Sequence, residues 1–169
     1  MKDIAIRPAT IDDLRALTEI HNHYVSHTHI VFDLEPFTPE QRLTWFHEHS
    51  SGGRYRMFVA ADAGRSVLGY ACTGRFRTKA AYATTVEASI ACRPDAVGMG
   101  LGTLLYRTLF DALAGEDIHR IVAGIAQPNA ASNALHERFG FKTAGVFSEA
   151  GRKFEKYWDV LWMERPVKA

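Results

Sequence analysis

The sequence is poor in cysteine, in excess charge of either sign and in long apolar runs. Only 2 cysteines occur in 169 residues, Cys72 and Cys92, each inside an apolar, strand-like stretch. Two cysteines cannot make a disulfide framework, and no second pair offers metal-ligand spacing. Two buried, reduced thiols in a cytoplasmic protein are therefore expected. Lys and Arg number 20 against 19 Asp and Glu, a net charge of +1. No global field is available to capture nucleic acid or an anionic membrane, so any anionic ligand must be held by a local device. The longest relevant apolar stretch, Ile121 to Ala126, falls far short of the roughly 20 residues a spanning helix needs. Residues Met1 to Pro8 contain no apolar h-region, and a secretory signal is not expected.

What remains is a chain of ordinary globular composition. Its 169 residues correspond to about one domain, and a hydrophobic share of 47% is enough for a self-sufficient core. Ile4 to Arg7 reads as a short strand. Thr10-Ile11-Asp12-Asp13 offers a capping box, followed by Ile11, Leu14, Leu17, Ile20 and Tyr24 on one helical stripe. A second helix is expected from Thr38-Pro39-Glu40-Gln41, stopping by Ser50-Ser51-Gly52-Gly53. Strands are expected at Tyr55–Ala61, Val67–Gly74 and Ala83–Cys92, with a basic loop from Arg75 to Ala81. The later elements are a helix from Gly102 to Ala114, a strand from Ile118 to Ala126 and a helix from Ala130 to Phe139. Two strands near Thr143–Phe147 and Tyr157–Glu164 close the chain. This order predicts one mixed α/β domain.

The segment richest in chemistry is Pro94-Asp95-Ala96-Val97-Gly98-Met99-Gly100-Leu101-Gly102-Thr103, between a strand and an amphipathic helix. Glycines let the backbone approach a ligand closely, and free N–H groups at a helix start attract phosphate. The dinucleotide fingerprint needs its third glycine one residue later than Gly102, and an acidic residue about 20 positions on; Ile121 to Gly124 has none. The P-loop lysine is missing as well. On these residues alone, a tight turn without a ligand stays open.

Farther along, Asn129-Ala130-Ala131-Ser132-Asn133-Ala134-Leu135-His136-Glu137-Arg138-Phe139-Gly140-Phe141 follows a strand. Together with the glycine turn, it resembles the closing motif of the GCN5-related N-acetyltransferase (GNAT) superfamily. His21-Asn22-His23-Tyr24-Val25, Ala81 to Glu87 and Leu135-His136-Glu137-Arg138 look more narrowly like the phosphinothricin and methionine sulfoximine N-acetyltransferase branch. The resemblance runs from Ile6 to Arg165. It implies a central, mostly antiparallel sheet flanked by helices, acetyl-CoA as cosubstrate, an amino acid as acceptor and a homodimer.

The same resemblance implies roles for particular residues. Gly98, Met99, Gly100, Leu101, Gly102 and Thr103 would cradle the coenzyme A pyrophosphate. Asn129 would contact the cofactor, with Arg138 a weaker candidate, and pantetheine would run along Ile90, Ala91 and Cys92. Glu87 stands where the branch places a general base, and His136 where many members carry a tyrosine that protonates the leaving sulfur. Arg75, Phe76, Arg77 and Lys79 would hold an anionic group, with Phe32 and Tyr82 walling the side-chain pocket. One departure is Val97, where the superfamily usually has Arg or Gln, and weaker cofactor affinity is expected from it.

Eight histidines, with His21, His23, His27 and His29 clustered, suggest a metal, but the H-E-x-x-H pattern is absent and no metal is expected. No G-x-S-x-G elbow supports a serine hydrolase. Two other functions stay open. One is acetylation of a different amine: a protein N-terminus, a polyamine or an aminoglycoside. The other is a coenzyme A-binding module without turnover.

Overall fold

The computed structural model describes residues 4–50 and 52–167. In chain order the elements are β1 (Ala5–Pro8), α1 (Leu14–His27), α2 (Leu43–His47), β2 (Met57–Ala61), β3 (Val67–Arg75), β4 (Thr85–Cys92), α3 (Leu101–Leu113), β5 (Arg120–Ala126), α4 (Ala130–Arg138), β6 (Lys142–Lys153) and β7 (Lys156–Pro166). The seven strands form one sheet in the order β1-β2-β3-β4-β5-β7-β6. Every pairing is antiparallel except β4 with β5. The expected mixed sheet flanked by helices is thus observed.

Both faces of the inner strands are covered, which is why β2 reads as an unbroken apolar run buried along its whole length. On one face α3 contributes Leu101, Leu105, Leu109 and Leu113, four residues apart, to a core with Phe58, Leu68, Val86 and Ile121. On the other face Leu17 and Ile20 of α1 pack on Met57, Val59, Tyr70 and Cys72. Opposite pleats of β3 belong to different cores, Ala71 to the first and Tyr70 and Cys72 to the second, and a register shift opposite Val67 and Gly69 turns Leu68 to the first as well.

Local signals set several boundaries. The Asp13 carboxylate accepts from the Thr10 N–H at 2.8 Å and from both Arg7 guanidinium arms at 2.7 Å, fastening β1 to the start of α1. The Thr38 N–H donates to Gln41 Oε1 at 2.7 Å, and the Gln41 N–H donates back to Thr38 Oγ1 at 3.3 Å, the reciprocal cap expected there. This cap opens a single tight turn, Glu40–Arg42, before α2. The second helix ends earlier than expected, at His47. Its last N–H groups tighten to bonds of the i→i−3 type, Glu48 to Trp45 and His49 to Phe46. Ser51, part of the expected stop signal, lies outside the described residues.

Strands β4 and β5 position the site. They pair only between Thr85–Glu87 and Arg120–Val122. Beyond Glu87, β4 continues along β3 while β5 continues along β7. A wedge opens between them, and it leads into a cavity of about 600 Å³.

Candidate active site

The cavity is closed at one end by the glycine turn. Gly98 (φ +87°) and Gly100 (φ +77°) occupy the left-handed region, and Gly100 caps α3. A side chain at either position would be strained there, and a built Cβ meets nothing within 4 Å, so the turn presents bare backbone to open space. The N–H groups of residues 98, 100, 101 and 102 make no backbone hydrogen bonds among the described residues. They collect at the positive end of a helix of 13 residues, an arrangement that favours a phosphate. Gly98, Gly100, Leu101, Gly102 and Thr103 line the cavity; Met99 does not and is exposed. Val97 lines the mouth with 62% of its surface exposed, so no side chain braces the turn there.

The wedge walls are Ala88 to Cys92 on β4 and Ala123 to Ala126 on β5, which includes the expected Ile90, Ala91 and Cys92. Mostly small or apolar side chains make a narrow, dry slot. Across it, α4 contributes Asn129, Ser132, Leu135, His136 and Arg138. Asn129 is the N-cap of α4; its Oδ1 accepts from the Ser132 N–H at 3.2 Å. Arg138 donates to Thr103 Oγ1 at 3.2 Å, so two cofactor candidates distant in sequence touch each other.

His136 is only 2% exposed. Its Nδ1 lies 2.8 Å from the Ser132 carbonyl, which requires a proton on Nδ1, and its Nε2 accepts from the Tyr106 hydroxyl at 2.9 Å. Burial moves its pKa below the usual histidine value. Burial thus favours the neutral ring, in which a proton on Nδ1 leaves Nε2 to accept. Phe141 packs edge-on against it at 4.9 Å.

The other end of the cavity is formed by the face of the sheet under α1 and α2. Register places Glu87 across from Gly74, Ser89 across from Cys72 and Ala91 across from Tyr70. Glu87, Ser89, Cys72 and Tyr70 therefore share one face. His21, Tyr24, Ile30, Val31, Arg42 and Trp45 complete this end. The Tyr24 hydroxyl donates to the Cys92 carbonyl at 2.6 Å, tying α1 to the end of β4. Burial raises the pKa of Glu87 above the ordinary carboxylate value, and the Arg77 guanidinium partly opposes the rise. The Cys72 and Cys92 thiols are pushed up to about 12 and about 11 by burial, so both stay protonated and unreactive.

Glu87 itself does not line the cavity; its neighbours Ala88 and Ser89 do. The proposed acceptor residues also stand outside it. Arg75, Arg77 and Lys79 are exposed, and the Arg77 guanidinium lies 4.5 Å over the Phe76 ring. Phe76 meets Tyr82 at 5.7 Å and Trp162 at 5.8 Å, one aromatic group beside the loop. Phe32 packs on the backbone of Gly151, so close that a Cβ there would overlap its ring. His23 and His27 stack at 4.7 Å, but among the described residues no three His, Cys, Asp or Glu side chains converge as a metal site. Tyr24, Arg42, Tyr70 and Tyr106 were not expected in the cavity from sequence.

The model of the Acetyltransferase (GNAT) family matches residues 15–141, three quarters of the chain and every wall of this cavity. The chain belongs to the GNAT acetyltransferase family. This acetyltransferase is 54% identical over 166 residues to phosphinothricin N-acetyltransferase of Streptomyces coelicolor, covering 98% of this chain and 97% of the relative. It is 36% identical over 160 residues to an L-methionine sulfoximine/L-methionine sulfone acetyltransferase of Pseudomonas paraeruginosa, covering 95% and 92%. Its fold matches the crystal structure of a phosphinothricin acetyltransferase from Sinorhizobium meliloti in complex with acetyl-CoA, at TM-score 0.91 and 31% identity, over 96% of this chain and 88% of that one.

Proposed function

We propose that this acetyltransferase moves the acetyl group of acetyl-CoA to the α-amine of a small amino acid or analogue, of the methionine sulfoximine, methionine sulfone or phosphinothricin type. The observation that carries the reading is Glu87: a half-buried carboxylate of raised pKa, at the point where β4 and β5 part, on the sheet face it shares with Cys72 and Ser89. The relatives at 54% and 36% identity support this choice of substrates.

The residues present fit acetyl-CoA, which supplies an activated thioester. The turn from Gly98 to Thr103 would hold its pyrophosphate, with Asn129 and Arg138 at the opposite wall, and the slot along Ile90, Ala91 and Cys92 would take its pantetheine arm. Met99, exposed beside the turn, would contribute through its backbone alone. Direct attack then needs a neutral amine. The Glu87 carboxylate removes the ammonium proton, directly or through a water, and its raised pKa makes it the better base. N–H groups of β4 beyond its pairing with β5 are free to polarise the thioester carbonyl. Sulfur leaves as the C–S bond breaks, and the second proton that the attacking nitrogen sheds on becoming an amide passes to the departing thiolate, directly or through water, so that the products are the amide and a free thiol.

His136 was expected to protonate the sulfur. In the neutral ring its Nε2 already accepts from Tyr106, and burial opposes the imidazolium. We assign it to the cavity wall, where it holds α4 against Tyr106. Arg75, Arg77 and Lys79 form a cationic rim for an anionic or strongly polar acceptor side chain, backed by Phe76 and Tyr82, and Phe32 would wall the acceptor from the side of Gly151. Like charges at this rim disfavour polyamines and aminoglycosides.

The chain would work as a single catalytic domain in the cytoplasm, consistent with two unpaired thiols, and as a homodimer. Strand β6 is an edge whose Val146 and Phe147 are 51% and 56% exposed, an apolar surface that a second copy would cover. Sedimentation at micromolar concentration tests this, and a monomer there contradicts it. Thiol release from acetyl-CoA against a panel of amino acids, polyamines, aminoglycosides and peptide N-termini tests the reaction. Turnover confined to amino acids and their analogues is expected. Turnover of the cationic amines instead, or coenzyme A binding with no turnover, overturns the reading.

A further inference from the structure

Arg42 is the most unusual charge in the cavity. It is 6% exposed and lines the end under α1 and α2. Its guanidinium lies 3.8 Å over the Trp45 ring, and Nη1 donates to the Leu17 carbonyl at a long 3.3 Å. The Tyr70 side chain lines the same end of the cavity. Among the described residues no carboxylate lies within 4.0 Å of it, whereas Arg7, Arg54, Arg56, Arg93 and Arg120 each have one. A guanidinium presents five donors in a planar fork, and the bond to Leu17 uses one of them. Burying such a cation without a counter-ion is costly, and an incoming anion would relieve that cost.

Its position relative to Glu87 is informative. The Cys72 side chain, on the same face as Glu87 and Ser89, feels the charges of both Arg42 and Glu87. Arg42 and Cys72 line the same end of the cavity, and Glu87 shares the sheet face of Cys72 at the edge of that end. An α-amino acid carries its ammonium and carboxylate on a single carbon, and it needs this pair of partners within one end of a cavity. The loop cations do not supply it, since Arg75, Arg77 and Lys79 are exposed beyond the cavity wall.

Building on the proposed amino-acid acetylation, we propose that Arg42 binds the α-carboxylate of the acceptor. The loop cations are then left to the acceptor's side chain. Recognition divides in two: the invariant α-carbon groups are read by the buried pair, and the variable group by the exposed rim. An Arg fork suits a carboxylate in a way a point charge does not.

The test compares methionine sulfone with its α-carboxamide in the thiol-release assay, on wild type, Arg42→Met and Arg42→Lys. Wild type should prefer the acid by about 10- to 100-fold, the range of one lost charge-assisted contact. Arg42→Met should lose that preference because kcat/KM for the acid falls far more than kcat/KM for the amide. Arg42→Lys should keep an intermediate preference, and it decides the matter if the Met variant does not fold. Equal losses for acid and amide, or a full acid preference in either variant, overturns the assignment. If wild type acetylates amino acids without preferring the acid, only the role of Arg42 fails. If it acetylates no amino acid, the broader reading fails first.

Discussion

The two ends of the cavity are built from different materials. At the cofactor end, binding groups are backbone N–H groups presented by two left-handed glycines and the first turn of α3. At the acceptor end they are side chains, Arg42, Tyr24 and Tyr70, brought from the turn before α2, α1 and β3, with Glu87 of β4 on the same sheet face at the edge. A backbone cradle recognises any molecule with the same pyrophosphate, whereas a side-chain pocket is retuned by single substitutions. The contrast fits an enzyme that keeps one donor and adapts its acceptor.

The largest effect should fall on the acceptor end. Glu87→Gln removes the base and should lower kcat by about 10²–10⁴-fold, with acetyl-CoA affinity unchanged by titration calorimetry. At the cofactor end, Gly100→Val places a β-branched residue at φ +77°, at a conformational cost of about 1–2 kcal/mol, and crowds the turn. The KM for acetyl-CoA should rise about tenfold or more and the KM for the amino acid should stay put. Parallel increases in both would erase the division between the ends.

Acidity sharpens the comparison further. Glu87 must be ionised to act, and its pKa is raised by burial, so kcat/KM should fall with decreasing pH through a limb above the ordinary carboxylate value. Arg77 opposes that rise. Arg77→Ala should therefore move the acid limb to still higher pH, read from the kcat/KM profile, while the cofactor KM holds. The smallest effect is expected at Val97, which sits open at the cavity mouth. Val97→Arg should tighten coenzyme A a few-fold in calorimetry, and an unchanged affinity would mean that the backbone turn already suffices.

The same contrast explains what could be read before the fold was known. Gly98 and Gly100 are legible because the left-handed turn demands glycine, while Gly102 is small because Leu135 of α4 packs against it. Glu87 and the α4 segment are legible through motif. Arg42 is not: next to Gln41 and three residues before Trp45, it reads as the solvated face of a short helix. Only packing against Leu17 of α1 makes it buried. Tyr24 reads as one more apolar residue of a stripe, and its hydroxyl bond to Cys92 joins positions 68 residues apart. The final hairpin is longer than its periodicity suggested, because register shifts at Thr143/Gly145 and Phe147/Gly151 break the alternation that defines a strand. His136 shows the limit of motif reading: its position is as expected, yet burial beside the Tyr106 hydroxyl lowers its pKa, which a sequence pattern does not reveal.

The most direct test of this division of labour is one matrix of steady-state constants. The KM for acetyl-CoA and the KM for methionine sulfone are measured in wild type, in Gly100→Val and in the triple Arg75→Ala/Arg77→Ala/Lys79→Ala variant. The glycine variant should shift only the acetyl-CoA value, and the loop variant only the amino-acid value. Both constants moving together in either variant would contradict a cavity whose backbone holds the donor and whose side chains choose the acceptor.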